Sequence, residues 1–205
     1  MLDHEVFHLV FPATASKTAQ SEETGCDIYA AAKALQRSGA GEDISERLAY
    51  AVAMSLIVRK DGEHFSTFAL QDFARRKDKI NPAGLTPRKM TVMAARLADK
   101  HALSEEKLDG IARAFRKIPK HGPKSVFHEK KVCETIARCI LEEGVGKDAF
   151  RAGMTVLRHY FETGESYHGK KMDLSGKKWT NLREKLRQKE ELLFKAKIRP
   201  SVRPG

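Results

Sequence analysis

The chain has 205 residues, with 38 Lys+Arg against 27 Asp+Glu, a net charge of +11, 41% hydrophobic residues and three cysteines. That length is ample for one domain with a buried core, whereas three cysteines cannot build a disulfide framework. No apolar run approaches the ~20 residues a membrane helix needs, and no basic-then-apolar leader opens the sequence, so a cytoplasmic protein is expected.

In chain order, Glu5-Val6-Phe7-His8-Leu9-Val10-Phe11 is short, aromatic and rich in β-branched residues, and it ends at Pro12. It predicts a β-strand. Ala13 to Thr24 is polar and predicts a loop, after which the period is helical. A first helix is expected over Asp27 to Arg37 and a second over Asp43 to Lys60. The second is apolar on most sides through Ile44, Leu48, Val52, Leu56 and their alanine and valine neighbours, the pattern of a central core helix. Ser66 to Lys77 follows, with Phe65, Phe68 or Ala69, and Phe73 inward. After Asn81-Pro82-Ala83-Gly84, Thr86-Pro87 reads as a cap and first helical position, with Met90, Met93 or Ala94, and Leu97 as the inner stripe.

Ser104 caps the next helix, with Glu105 and Glu106 at the positive end of its dipole and Leu103 and Leu108 as a hydrophobic staple. Leu108, Ile111, Ala112 and Phe115 continue that helix. Ser125 to Glu143 predicts a longer one, with Val132, Ile136 and Ile140 in a stripe. Phe150, Met154, Leu157 and Phe161 define another before Gly164, and a basic amphipathic helix runs from about Leu174 to Ile198. The fold expected is mainly α: a compact body of about seven helices over residues 1–165 with one short N-terminal β-strand, then a basic loop and helix over 166–198. A flexible tail, 199–205, follows. A sub-boundary falls near 81–84, close to where the charge changes sign.

Candidate chemistry is sparse. No phosphate-cradling glycine loop, nucleophile elbow or HExxH pattern occurs. Cys133 and Cys139, six apart on one helix, point in different directions, and with His121 and His128 they lack the spacing of a metal centre. Buried thiols explain them better, so neither metal nor cofactor is expected, and the protein reads as a non-enzyme.

Two DNA-binding motifs compete with structural readings. Leu97 to Phe115 has the apolar spacing of a helix-turn-helix, but its leading residues Glu105, Glu106 and Asp109 would repel phosphate, which favours a structural helical hairpin. The order of strand, helix, helix at the N-terminus matches ribbon-helix-helix dimers, yet that part of the chain is acidic.

Charge distribution carries the functional reading. Residues 1–74 hold 6 Lys+Arg and 11 Asp+Glu, net −5, and the remainder holds 32 and 16, net +16. Such a one-sided field attracts polyanions. The candidate contacts are Arg75, Arg76, Lys77 and Lys79 at one helix end, and Arg88 and Lys89 at a helix start, where positive charge opposes the dipole. Lys170, Lys171, Lys177, Lys178, Arg183 and Lys185 complete the set near Tyr167 and Trp179. The expectation is a nucleic-acid-binding regulator or accessory factor, DNA ahead of RNA, held mostly by phosphate contacts. The alternative is a protein-interaction module, or a secreted effector with an export signal in its Arg-Pro-rich ending. It would bind a partner protein or a second copy through Trp179, Leu182, Leu186 and Leu193 and the acidic N-terminal part.

Overall fold

The computed structural model describes residues 2–10, 18–38, 44–81, 84–120, 129–165 and 171–195. Among them are nine helices: α1 (Leu2–Val10), α2 (Ala19–Ser38), α3 (Ile44–Arg59), α4 (Thr67–Ile80), α5 (Pro87–Lys100), α6 (Glu105–Ala114), α7 (Glu129–Leu141), α8 (Lys147–Thr163) and α9 (Lys177–Lys195). The mainly helical architecture is as expected; the strand and the count of about seven are not. The only β-pairing among the described residues is the isolated bridge between Glu165 and Lys171.

The segment expected as a strand is α1. Its residues do not alternate as a half-buried strand requires. Asp3 and Glu5 occupy the first turn and His8 the last, which suits the helix dipole, and Phe7 is the fully buried anchor. Phe7 reaches α2 at Gly25, where a Cβ would stand 2.7 Å from its Cε1, so the two helices approach closely only because residue 25 lacks a side chain. With α1 a helix, the ribbon-helix-helix reading has no ribbon.

Helix α2 begins at Ala19, eight residues before the expected start. The missed turns carry buried polar groups instead of an apolar stripe. Gln20 donates to the Phe65 carbonyl at 2.7 Å and to Thr24 Oγ1 at 3.0 Å, and its Oε1 accepts from the Leu103 N–H at 3.2 Å. One amide therefore satisfies two loops that would otherwise bury unpaired backbone groups.

Two hydrophobic clusters share α3 and α4. The first joins α1, α2 and α5 through Phe7, Ile28, Leu70, Phe73, Met90 and Leu97; the second joins α6 to α9 through Phe115, Ile136, Ile140, Phe150, Leu157 and Trp179. Helix α3 serves both, with Ala49 in the first and Ala53, Leu56 and Ile57 in the second, as its all-round apolar sequence implies. Thr86 and Ser104 cap α5 and α6 as expected, accepting from the N–H groups of Lys89 and Lys107.

These caps do not make a helix-turn-helix or a packed hairpin. Helix α5 after residue 84 returns to α2 and α4, while α6 packs on α8. Leu97 thus belongs to one cluster, and Leu108 and Ile111 to the other.

Helix α9 lies against α7 and α8. Trp179 and Leu186 are buried in the second cluster, and Leu182 and Leu193 pack at its edge. This stripe is occupied by the body of its own chain and is not an open face for a partner. Cys133 and Cys139 are buried free thiols; His121, His128 and the Arg-Pro-rich ending lie outside the described residues. No described helix is long and apolar enough to cross a membrane.

Candidate nucleic-acid interface

The cations singled out from the sequence fall into separate surroundings. Arg75, Arg76 and Lys79 are exposed on the last turns of α4, with Lys77 half-buried between them; Arg88 and Lys89 are exposed at the start of α5. Lys171, Lys177 and Lys185 are exposed around α9, and Lys170 lies outside the described residues. Lys178 pairs with Glu134 at 2.7 Å. Arg183 reaches the Leu174 carbonyl and stands over the Phe161 ring, 4.7 Å from its centroid. Farther along α9, Arg187 is held by Glu184 and Glu191 at 2.8 Å each, and Lys189 donates to the Glu142 carbonyl at 2.8 Å. Much of the α9 charge is therefore consumed in fastening the helix or in pairs along it.

Arg76 is likewise engaged. The buried Asp72 carboxylate accepts from Arg76 Nε at 2.8 Å, Lys100 Nζ at 2.6 Å and His101 Nε2 at 3.0 Å. Burial opposes ionisation of Asp72, but the three donors outweigh it and hold its carboxyl well below the ordinary range. Burial also lowers the His101 pKa, against the pull of Asp72.

Arg75 differs, because it faces a groove of about 1170 Å³ bounded by α3, α4, α8 and the end of α9. Ala74 and Arg75 bring α4 to this groove, and Lys147, Arg151, Thr155 and Arg158 recur along one side of α8 at helical spacing. Arg151, Thr155 and Arg158 line it together with Gln71, Arg47 and Tyr50.

Arg151 is positioned by its apolar neighbour: the guanidinium sits over the Phe68 ring at 4.0 Å from the centroid. Gln71 Nε2 donates to Thr155 Oγ1 at 2.7 Å, and that hydroxyl donates to the Arg151 carbonyl at 2.9 Å. These bonds join the α4 and α8 walls. Among the described residues, no carboxylate lies within ion-pair distance of Arg75 or Arg151; Arg75 Nε donates only to the Gln71 carbonyl, at 3.2 Å. Burial lowers the Arg151 pKa; Asp148 and Asp72 oppose the shift and Arg75 adds to it. Both guanidinium groups stay charged, since no accessible pH deprotonates arginine.

The groove changes character along its length. Arg158 is paired with Glu190, and Glu162 and Glu165 line the same end. Toward α4 the groove is lined by Arg75 and Arg151, and Glu46 and Arg47 of α3 also border it. The wall between is closed by packed aromatics: the buried Tyr50 ring stacks on His159 at 4.0 Å, and its hydroxyl donates to that of Tyr160 at 2.8 Å. A smaller recess, about 550 Å³, is lined by Lys60, Arg113, Arg116 and Lys120. There Lys60, at φ 63°, closes α3 by donating to the carbonyls of Ile57 and Phe115.

Sequence reading found Arg75 but missed Arg151, Arg158 and Arg47. Each stands alone among uncharged or acidic neighbours, so no run of cations marks it. The signal that was present is the spacing of Lys147, Arg151 and Arg158 on one amphipathic helix. No protein family, curated protein or solved structure matches the chain.

Proposed function

We propose that the protein binds nucleic acid as a regulatory or accessory factor, with the phosphate backbone seated against Arg75 and Arg151 in the groove between α4 and α8. The observation that carries this reading is the juxtaposition of Arg75 and Arg151 without a carboxylate partner. Two cations lining one groove repel, and backbone phosphates seated against each of them remove that repulsion, each guanidinium offering a bidentate pair of N–H donors. Thr155 and Gln71 supply uncharged groups beside them. Arg76, Lys79 and Lys147 extend the positive field at the rim, beyond the immediate contacts.

This seat differs from the one expected on the last helix, whose cations Lys178, Arg183, Arg187 and Lys189 already have partners within the chain. The test is fluorescence anisotropy with a labelled DNA duplex and its single strand, comparing wild type with R75A/R151A and with R187A. The double variant should lose at least tenfold in affinity at low salt, and R187A should bind as wild type. Equal affinity in wild type and R75A/R151A, or no binding by wild type, contradicts the reading.

A further inference from the structure

We propose that α1 and α2 together hold a divalent transition-metal ion of the zinc class, ligated by His4, His8 and Cys26 with the fourth position open to water or to a shift of Glu23. The inference is independent of the nucleic-acid reading, because these residues lie in the N-terminal cluster and none lines the α4–α8 groove.

The donors arise from helical spacing. His4 and His8 are one turn apart on α1 and present their rings on one side, 5.2 Å between centroids. Glu23 and Cys26 are three apart on α2, at the level where Gly25 lets α1 approach. One donor atom from each of His4, His8 and Cys26 lies within 4.8 Å of the other two. Ligands around a single tetrahedral zinc stand roughly 3.3–3.8 Å apart, given bonds of about 2.0–2.3 Å. Small rotations of the two imidazoles close the difference.

The outer hydrogen bonds are those a metal-binding histidine uses. His4 Nδ1 lies 3.1 Å from Asp27 Oδ1 and His8 Nδ1 lies 2.9 Å from Glu22 Oε1. A carboxylate on Nδ1 fixes the tautomer that leaves the Nε2 lone pair for a metal. Both Nε2 atoms turn to the same residue, with His4 Nε2 at 3.1 Å and His8 Nε2 at 3.5 Å from the two oxygens of Glu23. Asp27 is steadied in turn by the Ser66 hydroxyl at 2.5 Å. Beyond the ion pairs that tie α1 to α2, the buried Cys26 thiol adds a donor that such a tie does not use.

Chemistry selects the ion. A thiolate with two imidazoles suits zinc and its spectroscopic surrogate cobalt, and not calcium or magnesium, which take all-oxygen sets. The imidazoles are half-exposed, with side-chain exposures of 22% for His4 and 28% for His8, so an ion reaches the site from the α1 side. Cys26 forms the closed inner end. Binding breaks its S–H bond, forms one metal–sulfur bond and releases one proton to solvent.

The test uses the full chain stripped with a chelator and titrated with Co²⁺, then with Zn²⁺. One equivalent of cobalt should produce a thiolate charge-transfer band and the intense visible bands of a tetrahedral site, and zinc should bleach both. C26S should abolish the charge-transfer band and C139S should leave it. H4N and H8N replace partly exposed side chains and so keep the fold; each should weaken zinc binding at least tenfold, and D27N by about 10–100-fold through the outer hydrogen bond. Absence of any cobalt spectrum, a sulfur band that survives C26S, or zinc affinity unchanged in both H4N and H8N overturns the proposal.

Discussion

Arg151 is seated on Phe68, 4.0 Å from guanidinium carbon to ring centroid, and that contact fixes a cation at the junction of α4 and α8. Phe68 itself is buried in the second hydrophobic cluster. The charge is thus carried by a side chain whose stem and face are packed, so little rotamer entropy remains to be lost when an anion arrives. Replacing Phe68 with Leu should keep the core filled and leave Arg151 unstacked. The expected result is a fall in nucleic-acid affinity of about twofold to fivefold, from a cation–π contact of roughly 0.5–1 kcal/mol, with thermal stability reduced by a few degrees. Affinity equal to wild type would show that the stacking does not position Arg151.

The contact between α7 and α8 depends on Gly153. A Cβ there would meet Ile140 Cγ2 at 2.5 Å and the Phe115 ring at 3.2 Å, both inside the core. Gly153→Ala should cost about 1–3 kcal/mol through overpacking, in spite of the better helix propensity of alanine. Thermal unfolding checks this, and Ile140→Ala should couple to it. The double variant should be less destabilised than the two single effects added together, because removing Cγ2 opens the space that the new methyl needs.

Asp72 sets an acid limit on the packing of α4 against α5. Its folded pKa lies below the unfolded one, because His101, Lys100 and Arg76 outweigh the burial that opposes its ionisation. Its contribution is therefore fully present above the unfolded value, near 3.9, and is lost as pH falls toward the folded value. Asp72→Asn should destabilise by about 2 kcal/mol at pH 7, a figure kept modest because Arg76 and Lys100 are half-exposed and rehydrate. Wild type and variant should converge as pH falls below 4 in denaturant titrations.

Helix α9 is part of the core. Trp179 is 3% exposed, and it meets the Phe161 ring edge-on at 6.2 Å between centroids. Trp179→Ala should cost about 3–5 kcal/mol. Truncation before Leu174 should give a chain that loses cooperative unfolding and binds hydrophobic dyes. A truncated chain with wild-type stability would show that α9 is an appendage.

Where the sequence carried apolar periodicity, the fold was legible in it. The stripes of Met90, Ala94 and Leu97, of Val132, Ile136 and Ile140, and of Phe150, Met154 and Leu157 all lie in the core, and α8 ends at Gly164 in the left-handed conformation. The first two turns of α2 were hidden because Gln20, Ser21 and Thr24 face inward as polar groups, so burial there leaves no hydrophobic signature. Helix α1 was misread because Val6, Phe7, Leu9 and Val10 satisfy strand composition, and only docking onto Gly25 decides between the two periods. That misreading also hid His4 and His8 as a one-turn pair. The helical-hairpin expectation failed for a tertiary reason: Leu97 and Leu108 find different clusters, which spacing alone does not reveal. Of the expected contact residues, Arg75 gains its place from α8, a partner 76 residues away in sequence.

The central claim is that Arg75 and Arg151 each neutralise a phosphate, and salt dependence measures this most directly. Each phosphate contact to duplex DNA contributes about 0.9 to the slope of log affinity against log salt concentration. Between 50 and 200 mM salt, wild-type affinity for a DNA duplex should fall steeply, and R75A/R151A should reduce that slope by about 1.8. A double variant with the wild-type slope, or wild-type binding indifferent to salt, would contradict the account.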